Sequence, residues 1–157
     1  MPKSQEEQSL VIIKPDALQR GLVGEIFHRF ERKGLRLIGI KMVELEDITL
    51  DAHYSHHKDK PFFASLKKFM RSAPVILVAL SGINAVKAIR LIVGPTKGYE
   101  AEAGSIRGDF ALSGQANIVH ASDSLESGRE EIKRFFKPDE LLNYKKPEFP
   151  WLYAEDE

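Results

Sequence analysis

The sequence has no cysteine, no long hydrophobic run and no net charge, and each absence excludes a class of protein. Without cysteine, neither a disulfide framework nor a zinc site built on thiolates is available. The longest continuous apolar stretch, residues 75–80, is far shorter than the roughly 20 residues that span a bilayer. Lys and Arg together number 23, as do Asp and Glu, and this balance argues against a protein that holds nucleic acid mainly by bulk electrostatics.

The same features indicate where the protein works. The opening residues MPKSQEEQ lack the apolar core of a signal peptide, and a cysteine-free chain suits a reducing compartment. We therefore expect a soluble, cytoplasmic protein that has no membrane partner and requires no nucleic acid.

Alternating or continuous apolar segments predict four strands, over residues 9–13, 35–45, 75–80 and 117–121. Apolar residues at helical spacing predict helices between them, within residues 22–33, from about residue 49, over 62–70 and after Asn84. Asn84 is expected to cap its helix, and Ser127 with Glu130 predicts a capping box for a final helix. Residues 94–115 show no sustained period, and irregular segments of that length are usually functional.

With the extra helical pieces set aside, the order of elements is βαββαβ. It predicts an α/β protein of the α+β type, a ferredoxin-like sandwich with helices on one face of a four-stranded antiparallel sheet. No repeat or linker interrupts the chain, so we expect one domain over residues 1–157. Residues 144–157 are predicted to form an extended tail, because prolines prevent it from joining a helix. Its apolar side chains should be buried, either on their own domain or on a neighbouring subunit.

His120 is the first candidate for chemistry. The chain has no glycine-rich phosphate loop of the form G-x-x-x-x-G-K-[ST] or G-x-G-x-x-G, so side chains must hold any bound phosphate. His120 ends a short apolar strand, and a neutral imidazole is a nucleophile at neutral pH. Ser122 and Glu131 are polar neighbours suited to orienting its ring. The residues alone leave a second interpretation open, a strand-end histidine hydrogen-bonded by the following turn.

Four separated segments resemble the nucleoside diphosphate kinase family. The run NIVHASDSLE is similar to the family signature N-x-x-H-[GA]-S-D-S-x-E, and VIIKPDALQRGLVGEI is similar to its opening strand and loop. HYSHHKDKPFF and GSIRGDF resemble two further family elements. The four segments occur in the family's order and cover almost the entire chain.

The resemblance implies an enzyme that transfers the terminal phosphate of a nucleoside triphosphate to a nucleoside diphosphate. In this family the histidine that matches His120 carries the phosphate in a ping-pong mechanism, and Mg²⁺ travels on the nucleotide phosphates rather than in a metal site of the chain. The implied catalytic residues are His120, Glu131, Ser122 and Tyr54. The implied nucleotide-binding residues are Lys14, Phe62, Arg90, Thr96, Arg107 and Asn117.

The family also implies what these side chains contact. Lys14, Arg90 and Arg107 match its phosphate-binding cations, and Thr96 matches a hydroxyl donor to phosphate. Asn117 donates to the sugar 3′ hydroxyl, and Phe62 matches the aromatic ring that stacks on the base. The family's hexamers favour a homohexamer here.

Two other interpretations remain open. His53, His56 and His57 have a spacing that suits either a solvated helix face or a transition-metal site. The fold could also serve a catalytically silent nucleotide-binding or scaffolding module, which is expected to lack the nucleophile or one of its cations.

Overall fold

A computed structural model describes residues 6–156 of the chain and, at Phe149, the backbone alone. Residues 1–5 and 157, the ends of the predicted domain, lie outside the described residues. The sheet is antiparallel and has the strand order β2-β3-β1-β4. Its strands are β1 (Glu6–Ile13), β2 (Arg36–Val43), β3 (Val75–Ile83) and β4 (Val119–Ala121). The ferredoxin-like sandwich predicted from the sequence is confirmed.

Eight α-helices lie in the described range of residues 6–156. They are α1 (Pro15–Gln19), α2 (Val23–Arg32), α3 (Asp47–His53), α4 (Phe63–Met70), α5 (Ala85–Val93), α6 (Ile106–Phe110), α7 (Leu125–Phe135) and α8 (Phe149–Leu152). Neither α1 nor α6 was predicted, because five residues are too few to show a helical period. None of the described helices is long and apolar enough to cross a membrane.

The helices cover both faces of the sheet, so the prediction that they lie on one face is wrong. Strand β1 explains why, since its residues 10–13 are all fully buried. Val11 and Ile13 pack with α2 and α5, whereas Leu10 and Ile12 pack with α3, α4 and α7. Successive side chains of a strand point to opposite faces, and an unbroken apolar run therefore indicates burial on both sides.

Two predicted helix caps differ in the structure. The N-cap of α7 is Ser124, whose hydroxyl accepts from the Ser127 amide, so the capping box lies three residues earlier than predicted. Asn84 is the N-cap of α5 but makes no side-chain cap hydrogen bond, because its backbone is left-handed with φ 55°. The carboxylate of Glu7 instead accepts from the Val86 amide, at 3.0 Å.

The C-terminal tail is not wholly extended. Phe149–Leu152 form a helical turn, and Pro150 is tolerated because the first turn of a helix requires no amide donor. The turn packs partly on its own chain, where the Tyr153 hydroxyl accepts from the Ile83 amide at 3.1 Å. Trp151, by contrast, is 90% exposed.

The contact between α7 and β1 predicts the effect of one substitution. A Cβ atom at Gly128 would lie 2.5 Å from the Gln8 carbonyl oxygen, so Gly128→Ala must displace α7. We expect it to lower the free energy of unfolding by about 1–3 kcal/mol in urea denaturation. Gly24→Ala is the matched control, because Gly24 lies in α2 with nothing within 4 Å of its added methyl group. That variant should be stabilised by about 0.5–1 kcal/mol, and equal stability of the two variants would contradict the packing described.

Candidate active site

A cavity of about 880 Å³ opens beside β4. This volume lies within the range of small-molecule sites, about 300–1,000 Å³. Of the ten site residues predicted from the sequence, Ser122 alone does not line it. Those that do are Lys14, Tyr54, Phe62, Arg90, Thr96, Arg107, Asn117, His120 and Glu131.

His120 lines the cavity and is held there by a chain of hydrogen bonds. Its Nε2 lies 2.9 Å from Glu131 Oε2, and the Ser122 hydroxyl donates to the same carboxylate oxygen at 2.6 Å. Ser122 is buried and accepts from the Leu10 amide of β1 at 3.0 Å, so the carboxylate is tied to the sheet. A carboxylate only accepts, so Nε2 carries a proton, and in the neutral ring the lone pair is on Nδ1. Within the described residues Nδ1 makes no hydrogen bond.

His53 packs against the nucleophile candidate, a contact that the sequence did not indicate. The two ring centroids are 4.6 Å apart at an interplanar angle of 77°. His53 is 5% exposed, and its Nδ1 lies 3.1 Å from Nη1 of Arg134. Burial, followed by the nearby His120 and Arg134, lowers the pKa of His53 to about 2, so its ring is neutral.

Of the two interpretations of the three histidines, a shared solvated helix face is therefore wrong for His53. Helix α3 ends at this residue and a 3₁₀ turn follows, which leaves His56 exposed and His57 half-buried. The donor atoms that lie within 4.8 Å of one another come instead from His53, His120 and Glu131. The Arg134 guanidinium beside His53 opposes a cation at this position.

Lys14 lies almost wholly inside the protein, at the end of β1. It is 5% exposed, and its Nζ donates to Asn117 Oδ1 at 2.7 Å. Burial and the charge of Arg107 lower the pKa of Lys14 to about 7, while Asp16 acts in the opposite direction. The charge of this side chain therefore responds to what occupies the cavity.

Arg107 lies in α6 and joins three separate parts of the backbone. Its guanidinium donates to the carbonyl oxygens of Asn117, Gly94 and Val119. Burial, and then the charge of Arg90, lowers the pKa of Arg107 to about 10, which still leaves it a cation at neutral pH. Arg90 approaches from α5, where its Nη1 donates to the Ala121 carbonyl at 3.3 Å.

The remaining predicted residues lie along the cavity wall. Asn117 donates from Nδ2 to the carbonyls of Thr96 and Gly114, at 2.8 and 2.9 Å, which fixes its amide. Tyr54 is buried, and burial followed by the charge of Glu131 raises the pKa of its phenol. Phe62 is 43% exposed, so a ring face is open to a planar ligand.

The backbone just before His120 is strained. Ile118 has φ 76°, a region that β-branched residues rarely adopt, and the Val119 amide donates to the Asn117 carbonyl across it at 2.9 Å. An i to i+2 hydrogen bond at positive φ is a γ-turn of the strained form. Such a conformation costs about 1–3 kcal/mol and persists only where its surroundings hold it.

These features define a class of protein. A fixed imidazole in a cavity that Lys14, Arg90 and Arg107 also line suits the transfer of a phosphoryl group, which requires positioning and stabilisation of negative charge. A second cavity of about 1080 Å³ lies between α5 and residues 94–105, but neither His120 nor Phe62 lines it. The arrangement at β4 is of the kind that a phosphotransferase requires.

Comparison with known proteins gives the family. The family model described as nucleoside diphosphate kinase matches residues 7–141. A nucleoside diphosphate kinase of Parabacteroides distasonis is 52% identical over 96% of this chain and 99% of its own. Nucleoside diphosphate kinase A of Rattus norvegicus is 46% identical over 94% of this chain and 97% of its own.

A solved structure agrees with this assignment. The halophilic nucleoside diphosphate kinase of Halobacterium salinarum, in complex with CDP, superposes with a TM-score of 0.92 at 36% identity. The alignment covers 95% of this chain and 99% of that one. The chain belongs to the nucleoside diphosphate kinase family, and it is an enzyme that transfers phosphate between nucleotides.

Proposed function

We propose that His120 is the residue that receives the phosphate, from a nucleoside triphosphate, and returns it to a nucleoside diphosphate. The observation that carries the proposal is the hydrogen bond from Nε2 to Glu131, at 2.9 Å. It engages Nε2, so in the neutral ring Nδ1 is the nitrogen available to attack phosphorus. Ser122 holds Glu131 by a second hydrogen bond, at 2.6 Å. The ring therefore keeps one tautomer without a separate base.

Atoms and charge balance in each half of the reaction. The Nδ1 lone pair attacks the terminal phosphorus, and the bond from that phosphorus to the bridging oxygen breaks, which releases a nucleoside diphosphate. The ring keeps its Nε2 proton and gains positive charge, which the Glu131 carboxylate stabilises. A terminal oxygen of a second diphosphate then attacks the phosphorus, and the bond from phosphorus to Nδ1 breaks. This step releases the new triphosphate and returns the electron pair to the ring, which becomes neutral again, so the reaction is ping-pong.

The cavity supplies the remaining interactions. Lys14, Arg90 and Arg107 lie around it and neutralise the phosphate oxygens, and the Thr96 hydroxyl adds a donor. The Tyr54 phenol stays protonated because its pKa is raised, so it acts near the nucleophile as a donor.

Asn117 and Phe62, which line the same cavity, hold the nucleoside. Asn117, fixed by its bonds to Thr96 and Gly114, contacts the sugar hydroxyl. Phe62 stacks on the base, and since every base has a π face, this contact tolerates different bases.

We propose that Mg²⁺ enters as part of the substrate, on the nucleotide phosphates. Glu131 is engaged by His120 and Ser122, and Asp123 accepts from Ser127 at 2.7 Å. The cationic side chains in the same cavity oppose a resident ion, and Mg²⁺ is commonly held through substrate phosphates. Its contribution is to neutralise charge on the transferred group.

The proposal is tested by separating the two halves of the reaction. Enzyme incubated with triphosphate labelled on its terminal phosphate, then freed of nucleotide, should carry label that is acid-labile and base-stable. Adding an unlabelled diphosphate of another base should move this label into the new triphosphate. Transfer that requires both nucleotides to be present together would contradict the proposal.

The lowered pKa of Lys14 predicts that the protein takes up a proton when it binds a nucleotide. Its pKa of about 7 means that the free site holds mostly neutral lysine at pH 8, whereas a bound polyphosphate favours the ammonium form. Binding of a non-hydrolysable triphosphate at pH 8 should therefore be accompanied by proton uptake, measured by calorimetry in buffers of different ionisation enthalpy. The uptake should be lost in Lys14→Met and kept in the control Lys58→Met, which changes an exposed lysine outside the cavity lining. Uptake that survives in Lys14→Met would contradict the assignment.

We propose that the protein assembles as a homohexamer and that residues 1–157 form one domain. Large apolar side chains remain exposed along the edge strand β2, at Ile40 and Met42, and in the tail at Trp151. Such surfaces are commonly buried between subunits. Light scattering should give a mass near six chains, and a stable monomer would contradict this.

A cytoplasmic location stays a prediction from the sequence.

A further inference from the structure

Asp16 contacts the strained turn that precedes the proposed nucleophile. It is half-buried in the first turn of α1, 102 residues away in sequence from Ile118. Its Oδ2 accepts from the Ile118 amide at 3.0 Å. On the other side of the same residue, the Ile118 carbonyl accepts from the Lys14 amide at 2.9 Å. Both backbone polar groups of Ile118 are thus held by the segment that follows β1.

The turn separates the two residues whose relative position matters most to the reaction. Asn117 lies directly before Ile118 and His120 lies two residues after it, so a change at φ of Ile118 moves one against the other. The side chain of Ile118 is fully buried and anchors the turn in the core, but it cannot by itself select a positive φ. An amide donated to a carboxylate is a charge-assisted hydrogen bond and is among the stronger contacts available to hold such a turn.

We infer that Asp16 is a positioning residue, which holds the Ile118 turn so that the Asn117 amide and the His120 ring stay aligned on one nucleotide. This inference rests on the proposed role of His120. Asp16 does not line the cavity, so it acts without contacting the nucleotide: it holds the turn, and its charge also raises the pKa of Lys14.

Three substitutions separate the hydrogen bond from the charge. Asp16→Asn keeps an acceptor oxygen at the same distance from the backbone but removes the charge. Asp16→Glu keeps the charge but moves the oxygens by one methylene group. Asp16→Ala removes both.

The matched control is Glu7, which accepts from the Val86 amide at the same distance of 3.0 Å and is also half-buried. Glu7→Ala removes the same kind of bond at a position remote from the Ile118 turn. It should reduce thermal stability much as Asp16→Ala does. It should leave the phosphorylation rate of folded enzyme within about threefold of the original, because the position of His120 does not change.

The measurement is the single-turnover rate of phosphorylation at saturating triphosphate, corrected for folded fraction, together with KM for a 2′-deoxy and a 2′,3′-dideoxy nucleotide. We expect Asp16→Ala and Asp16→Glu to lose about 10–100-fold in rate, as small misplacements of reacting groups do. Asp16→Asn should stay within about threefold. In the alanine and glutamate variants the preference for a nucleotide with a 3′ hydroxyl should shrink, because Asn117 has moved. If Asp16 had only a structural role, that preference would stay intact.

Each outcome decides the matter. A normal rate in Asp16→Glu with a slow Asp16→Asn would show that charge and not position matters, and would overturn the inference. Unchanged 3′ hydroxyl preference in slow variants would overturn it too. If Asp16→Ala does not fold, the comparison of Asp16→Asn with Asp16→Glu decides alone. Absence of label on His120 in the unmodified enzyme would instead refute the proposed function, so the two failures are distinguishable.

Discussion

Replacing His120 with alanine is expected to lower kcat by at least about 10⁴-fold, the scale on which enzymes respond to loss of their nucleophile. The reason is specific to this site. Cations around the cavity stabilise negative charge but cannot accept a phosphoryl group covalently, so the ping-pong route is closed. Steady-state kinetics with saturating nucleotides measures the loss.

The control for this substitution is His28→Ala. His28 is exposed on α2 and outside the lining of the cavity, so its removal should leave kcat unchanged. Thermal denaturation should show both variants folded. Activity in His120→Ala within tenfold of the original would mean that another group carries the phosphate.

Arg107→Ala is expected to combine a loss of activity with a loss of stability. Removing a charged donor from a phosphoryl-transfer site typically lowers kcat by about 10²–10³-fold. The same change leaves the buried carbonyls of Asn117, Gly94 and Val119 without their donor, which we expect to reduce the free energy of unfolding by about 2–4 kcal/mol. Kinetics and urea denaturation of one preparation measure both effects.

Two further variants sharpen this prediction. Arg107→Lys keeps a charge, but one ammonium cannot reach three diverging carbonyls, so most of the stability loss should remain while activity recovers in part. Arg20→Ala removes an exposed guanidinium that also donates to a carbonyl, that of Phe110, and should affect neither property. Full stability in Arg107→Ala would contradict its role in joining α6 to β4.

Much of the fold follows from the sequence because its strands are strongly patterned. The unbroken apolar run in β1 and the periodic residues of α2, α5 and α7 place these elements correctly. The errors lie where the deciding interaction is local and weakly encoded, as at the Ser124 cap. The helical turn at Phe149–Leu152 was missed because proline excludes a helix interior but not its first turn.

The candidate site depends on a different kind of information. From the residues alone, His120 was one candidate with an ordinary structural alternative, and Ser122 and Glu131 were candidates to orient its ring. The other predicted residues came from resemblance to the family. The burial of His53 and the contacts of Asp16 and Arg134 were not predicted. Each of these side chains contacts a residue that lies 67 to 102 positions away in the sequence. Such contacts depend on the register of β1 against β4, which pairs Ile12 with His120. No local sequence pattern indicates this register.

Locating the phosphate on the chain decides whether His120 carries it covalently. Enzyme phosphorylated by a nucleoside triphosphate and freed of nucleotide can be cleaved at alkaline pH and its phosphopeptide sequenced by mass spectrometry. We expect one phosphorylated peptide, modified at the histidine within NIVHASDSLE, whose label returns to added diphosphate. A kinetically competent phosphate on any other residue would contradict it.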